Sequence, residues 1–271
     1  MLKLYYLSSE IKPFSETGQL ASFSKEFPSI LKENKDVDIR LIQPKYGFIS
    51  ERRYILREVI RLKDLKIDFM NKEHTINIKS GFIPDTRVQV YFMEHCDYFN
   101  DTSELLYKSR NGRLYSNNQE RFTFFVKAAI ETLKKLYWIP DYIICSDWQM
   151  SMASLIMKNI FKDELKDTKM VYMLHDINEC FNFDKSLYEK LNIDYDAKNK
   201  IQNNLINSIT HSDYIYIFND ENKNCEKNIN KNSRIKKAIT QTKHEFINYS
   251  SDLEVSDRIN VYNEILQSLR K

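Results

Sequence analysis

Apolar residues along this chain keep two periods in alternation: short apolar runs bounded by polar residues, and longer stretches in which apolar side chains return every third or fourth position. The first run, residues 2–7, predicts a strand, and Leu20, Phe23, Phe27 and Leu31 then mark one face of a helix. Residues 37–42 predict a second strand. Residues 54–70 and 74–83 read as an antiparallel excursion that leads into a strand over 88–93. After a polar loop, Phe122, Phe125, Ala129 and Leu133 stripe a long helix over about 118–136, followed by a strand at 141–145, a helix at 150–160 and a strand at 170–174. A helix near 201–209 and a strand at 214–218 complete the series. Strands alternating with amphipathic helices predict an α/β fold around a doubly wound, mostly parallel sheet.

Beyond the last strand the pattern changes. Residues 219–243 are polar and rich in Asn and Lys, and neither Gly nor Pro occurs after Pro140. A second nucleotide-binding half would need glycine where backbone approaches phosphate, so none is expected downstream. Lys223, Lys227, Lys231, Arg234, Lys236 and Lys237 form a basic run, read either as an anion patch or, the commoner origin, as a solvated helix face. Leu253, Ile259, Tyr262, Ile265, Leu266 and Leu269 then recur at helical spacing. The expected division is a domain over 1–230, a polar connector over 231–251 and a C-terminal helix over 252–271 that packs back on the domain.

Composition narrows the function classes. With 271 residues, 42% hydrophobic and 29% charged, the chain can bury an ordinary core. A net charge of +3, from 41 basic and 38 acidic residues, is too small and too mixed to argue for nucleic acid. No apolar run is long enough for a membrane span, and residues 2–7 are too short for a signal peptide, so a cytoplasmic protein without membrane contact is expected. Cys96, Cys145, Cys180 and Cys225 lack metal-ligand spacing and are expected to be reduced thiols; neither a metal site nor a cofactor is anticipated.

In an open parallel sheet ligands bind beyond the carboxyl ends of the strands, so the residues there carry the candidate chemistry. After the first strand the chain reads Ser8-Ser9-Glu10 and then Glu16-Thr17-Gly18-Gln19-Leu20; after 141–145 it reads Ser146-Asp147-Trp148-Gln149; after 170–174, His175-Asp176-Ile177. The segment from Leu4 to Gly47, LYYLSSEIKPFSETGQLASFSKEFPSILKENKDVDIRLIQPKYG, closely resembles the opening of bacterial glycogen synthases and plant starch synthases, with its phosphate loop and Pro-x-Tyr-Gly turn. Residues 90–99 and 112–125 match further segments of that family, and the resemblance extends over 2–229. It implies a Rossmann-like half of a two-domain GT-B glycosyltransferase. Three positions depart: Glu16 stands where the family has Lys, Gln19 where it has a second Gly, and Ser22 where it has Asp.

The resemblance assigns the sites. Thr17 and Gly18 fall in the loop that holds the donor diphosphate, compromised by Glu16 and Gln19. His175 matches the His beside the donor sugar; its other reading is a relic bonded to neighbouring backbone. Asp147, Trp148 and Arg121 are the glucan-binding candidates, against a buried Trp, an Asp that caps the next helix, and an Arg121–Glu120 structural ion pair. The expected function is a glycogen-synthase-like domain, non-catalytic alone, that binds an α-glucan or a partner protein. The alternatives are one half of an ADP- or UDP-glucose-dependent glucosyltransferase completed by a second chain, and a regulatory subunit of an intact synthase. Phe14, Leu20, Trp148, Phe181 and Phe183 are expected to leave an apolar cleft face, which favours a homodimer or a complex with a separately encoded second domain.

Overall fold

The computed structural model describes residues 1–220, 223–250 and 252–270. The chain runs β1 (Leu2–Leu7), α1 (Gln19–Lys32), β2 (Val37–Pro44) and the short α2 (Glu51–Tyr54). An antiparallel excursion follows as β3 (Arg57–Glu58), β4 (Leu65–Phe69) and β5 (Lys72–Phe82), after which β6 (Gln89–Glu94) rejoins the parallel set. Then come α3 (Asn118–Leu136), β7 (Tyr142–Ser146), α4 (Ala153–Ile160), β8 (Lys169–Leu174), β9 (Asn182–Asp184), α5 (Lys185–Leu191) and β10 (Ile201–Asn203). The last part holds α6 (Asn204–Thr210), β11 (Tyr214–Asn219), α7 (Cys225–Lys231), α8 (Ser233–Gln241), β12 (His244–Asn248) and α9 (Val255–Leu269).

The main sheet has the order β12-β11-β8-β7-β1-β2-β6-β5-β3, with β4 paired to β5 and only the excursion strands antiparallel. β1 sits at its centre because Leu4, Tyr5, Tyr6 and Leu7 are all buried and leave no polar face for solvent. The chain winds outward from β1 to β2 on one side and, after α3, to β7 on the other. Loops leaving β1 and β7 therefore diverge, which places the ligand crevice of such a sheet at their carboxyl ends. Residues 201–203 form a strand on β9 where the apolar spacing suggested helix, since the Asn203 side chain accepts from Ile206 N (3.3 Å) and starts α6 only at Asn204.

The expected connector is structured. Residues 231–250 contain α8 and the edge strand β12, because Ile235, Ala238, Ile239 and Ile247 give this polar stretch enough apolar positions to bury. α9 lies on α1. Tyr262 meets the rings of Phe23 and Phe27, each at 5.7 Å, and its hydroxyl reaches Glu26 Oε2 (3.2 Å), which also takes Arg258 Nε (3.0 Å). Tyr262, Ile265, Leu266 and Leu269 are all buried. At roughly 1.5–3 kcal/mol per buried side chain, the helix contributes an amount comparable with the whole stability of a typical domain. Truncation after Ser250 is expected to abolish a cooperative thermal melt, or to lower its midpoint by more than about 10 °C.

The apolar cleft face does not exist as anticipated. Phe14, Leu20, Trp148, Phe181 and Phe183 are 3, 8, 6, 2 and 1% exposed. Phe14 is held edge-on between Tyr54 (4.7 Å) and Phe92 (4.8 Å), and β9 carries Phe183 into the core. The physical motive for self-association through that face is removed.

Candidate functional site

The loop after β1 is organised by a carboxylate. Glu10 is buried and accepts from Thr17 Oγ1 (3.0 Å), Thr17 N and Tyr107 Oη (3.1 Å), with burial pushing its carboxyl above the usual range. Thr17, assigned to the donor, thus has both its backbone N–H and its hydroxyl committed within the protein. Glu16 pairs with Lys12 at 2.8 Å, so the reversed charge at this position is matched by a cation four residues earlier. Gly18 precedes the first turn of α1 in extended backbone, and a Cβ there would meet nothing within 4 Å. Gln19 Nε2 donates to Asp220 Oδ2 (2.9 Å), tying the start of α1 to the end of β11 across the ends of β7 and β8.

Asp147 joins β7 to β8. Its carboxylate accepts from His175 N (2.7 Å) and Asp176 N (3.3 Å), and its carbonyl accepts from Tyr172 Oη (2.7 Å). It therefore does not cap the turn that follows, and at 8% exposure it presents little to a glucan. Its φ of +54° is a conformation a non-glycine residue adopts only under strong surrounding constraint, which these bonds supply. Burial raises the carboxyl from 3.8 to about 7. Between those values the folded state holds a proton that the unfolded chain releases, so this contribution is full below 3.8 and is lost as pH rises through 7. Asp147→Asn is expected to lose the dependence: its stability relative to the parent should rise by about 2–3 kcal/mol between pH 5 and pH 8, measured by denaturant unfolding.

Trp148 and Arg121 are structural. The Trp148 ring is enclosed edge-on by Tyr107 (5.4 Å) and Phe122 (5.5 Å), which leaves no face for a sugar. Arg121, 2% exposed, is not paired with Glu120. Its guanidinium donates to Asn118 Oδ1 (2.7 and 3.0 Å), Thr102 Oγ1 (3.1 Å) and the carbonyls of Tyr98 and Leu106, pinning the loop over 98–106 onto α3. Glu120 accepts instead from Tyr98 Oη. His95 lies in that same packed region, with Nε2 3.0 Å from His74 Nδ1.

Among the described residues, His175 is the one assigned residue whose side chain has a buried polar atom without a hydrogen-bond partner. Its ring stacks on Phe218 (4.3 Å) and meets Phe23 edge-on (4.6 Å). Nε2 is buried without a hydrogen-bond partner, so bonding to neighbouring backbone does not account for it. Burial and the nearby Lys223 ammonium push its pKa down to about 3, which keeps the imidazole neutral. A neutral imidazole here can exchange one hydrogen bond with a hydroxyl but cannot offer a cation to a phosphate. Cys145 is no nucleophile, since burial drives its thiol far above the usual range, and Ser146 Oγ is bonded to Tyr6 Oη (3.2 Å). Among the described residues no group of three His, Cys, Asp or Glu is placed to hold a metal ion. The roles of Glu10 and Asp220 escaped the sequence reading; a carboxylate just past a strand with Thr17 seven residues on was the available signal for the first.

Residues 3–220 match the family described as the starch synthase catalytic domain. A glycogen synthase from Pelodictyon phaeoclathratiforme is 30% identical over 220 residues, 79% of this chain and 45% of the relative. One from Chlorobium luteolum is 33% identical over 191 residues, 70% of this chain and 39% of the relative. The chain thus spans somewhat under half the length of these relatives. The catalytic domain of starch synthase IV from Arabidopsis thaliana, bound to ADP and acarbose, superposes with a TM-score of 0.67 at 19% identity, covering 91% of this chain and 51% of that one. The fold is accordingly one half of a GT-B glycosyltransferase, and the chain belongs to the starch synthase catalytic domain family.

Proposed function

We propose that this glycogen-synthase-like domain works by binding and does not, on its own, carry a nucleotide sugar. The observation that carries the reading is that the loop assigned to the donor by resemblance pairs its own polar groups, Lys12–Glu16 and Thr17–Glu10, and is tied to the end of β11 through Gln19–Asp220. A diphosphate requires cations and N–H groups at a helix start, and this loop offers a neutralised lysine, a Thr17 whose two donors both go to Glu10, and several carboxylates. ADP and acarbose occupy the Arabidopsis relative, so the ligand classes to weigh are a nucleoside diphosphate and an oligosaccharide. The loop argues against the first. With Trp148 and Arg121 buried, the expected glucan contacts at the crevice are also gone, which favours a protein partner within glucan synthesis. Incubation of the pure chain with radiolabelled ADP-glucose or UDP-glucose and glycogen should leave the polymer unlabelled; incorporation above a boiled control defeats the reading.

A second reading rests on His175. Its unengaged, buried Nε2 suits a sugar hydroxyl, as in one half of a glucosyltransferase completed by a second domain. Glucose transfer that appears only when a second-domain protein is added, and disappears with His175→Ala, supports this version over the first.

A further inference from the structure

The basic run of residues 223–237 reads two ways in sequence, and the fold divides it. Lys227, Lys231, Arg234, Lys236 and Lys237 are all exposed to solvent, and of these Arg234 and Lys237, with Gln241, border a groove against α6. The groove is open to solvent and holds about 480 Å³, room for a small ligand. Its floor is Ile206 and Ala238, and its far wall is formed by Asn203, Asn207 and Thr210.

The hydrogen-bonding state of this lining is uneven. Among the described residues neither Arg234 nor Lys237 has a carboxylate within 4.0 Å, in contrast to Lys12, Lys79 and Lys134. The groove's one carboxylate, Asp196, already accepts from Asn199 Nδ2 (2.6 Å) and Lys198 N (3.0 Å). Asn203 uses its oxygen to cap α6 and so keeps its amide N–H₂ as donor, while Asn207 donates to Tyr188 Oη (3.3 Å) and keeps its oxygen as acceptor. Two cations thus stand at an apolar-floored groove with amide groups of both polarities.

We infer that the α6–α8 groove binds a phosphate monoester of a small polyol, a sugar phosphate in chemical class. Arg234 and Lys237 take the phosphate oxygens by charge-assisted bonds, and Asn203, Asn207 and Gln241 take hydroxyls in both directions. A polyanion such as nucleic acid or an acidic peptide is a poor occupant, because two cations against one carboxylate leave a single net positive charge. The site is separate from the strand-end crevice and stands whether or not the proposed function holds.

Calorimetric titration of the whole chain tests it, with glucose 6-phosphate, inorganic phosphate and glucose as probes at low salt. Glucose 6-phosphate is expected to saturate with a Kd of about 1 mM or tighter, as two exposed charge-assisted contacts allow, and glucose is expected to give no heat. Arg234→Gln with Lys237→Gln should weaken glucose 6-phosphate at least about tenfold, and Gln241→Ala should weaken it while leaving inorganic phosphate unaffected. Gln241 is exposed, so that variant keeps the test open if the double variant fails to fold. The inference is overturned by no saturation below about 10 mM, by equal affinity in both variants and the parent, or by inorganic phosphate binding as tightly as the sugar phosphate.

Discussion

Arg121→Ala is expected to destabilise the protein by roughly 3–5 kcal/mol, enough to unfold much of a marginally stable population. The guanidinium sits over Phe122 (4.9 Å) and Tyr115 (5.0 Å), with the Tyr98 and Leu106 carbonyls and Asn118 Oδ1 pointing at it. Truncation leaves those acceptors facing a cavity, and a buried acceptor without a donor costs about 1–3 kcal/mol. Arg121→Lys should recover only part of the loss, because an ammonium cannot span acceptors that a planar fork reaches together. Urea unfolding measures both. A glucan-binding role would instead leave the midpoint unchanged and move only polymer affinity.

The second large effect is a gain. Glu16→Lys with Gln19→Gly should give the domain measurable affinity for ADP, at least about tenfold above the parent. Two unit charges about 4 Å apart interact by roughly 4 kcal/mol at an effective dielectric near 20, and the first substitution exchanges repulsion for attraction at the start of α1. It also frees Lys12 from its pair, and the second substitution releases the Gln19–Asp220 bond. Fluorescence competition with a labelled ADP reads the change, and raising the salt concentration should weaken it. Glu16→Lys alone should recover less, because the Gln19 bridge across the strand ends would remain.

Local periodicity carried most of the fold. The helix expected over 118–136 is α3 at Asn118–Leu136, since an apolar stripe and a left-handed Tyr137 at its end both act within a few residues. The connector's strand had little local signal: a few apolar residues among many Lys and Asn suffice once β11 offers an edge for β12 to pair with. Arg121 was expected to meet a glucan or to pair with Glu120, but Asn118 three residues earlier shares its helix face and takes its guanidinium. Trp148 followed a strand as a stacking platform would, but the turn Trp148–Met150 folds it under Tyr107. The loop's closure had two local signatures, Lys12 with Glu16 and Glu10 with Thr17. Gln19 meets a partner 201 residues away, and Tyr107 reaches Glu10 from 97 residues away, so only the folded sheet brings them together.

Isothermal titration of the unmodified chain with ADP-glucose tests the closed loop most directly. With Glu16 held by Lys12, Thr17 by Glu10 and Gln19 by Asp220, no saturable heat is expected up to about 1 mM ligand. A dissociation constant in the micromolar range would contradict the account, because it would require those pairs to open for a diphosphate at little cost.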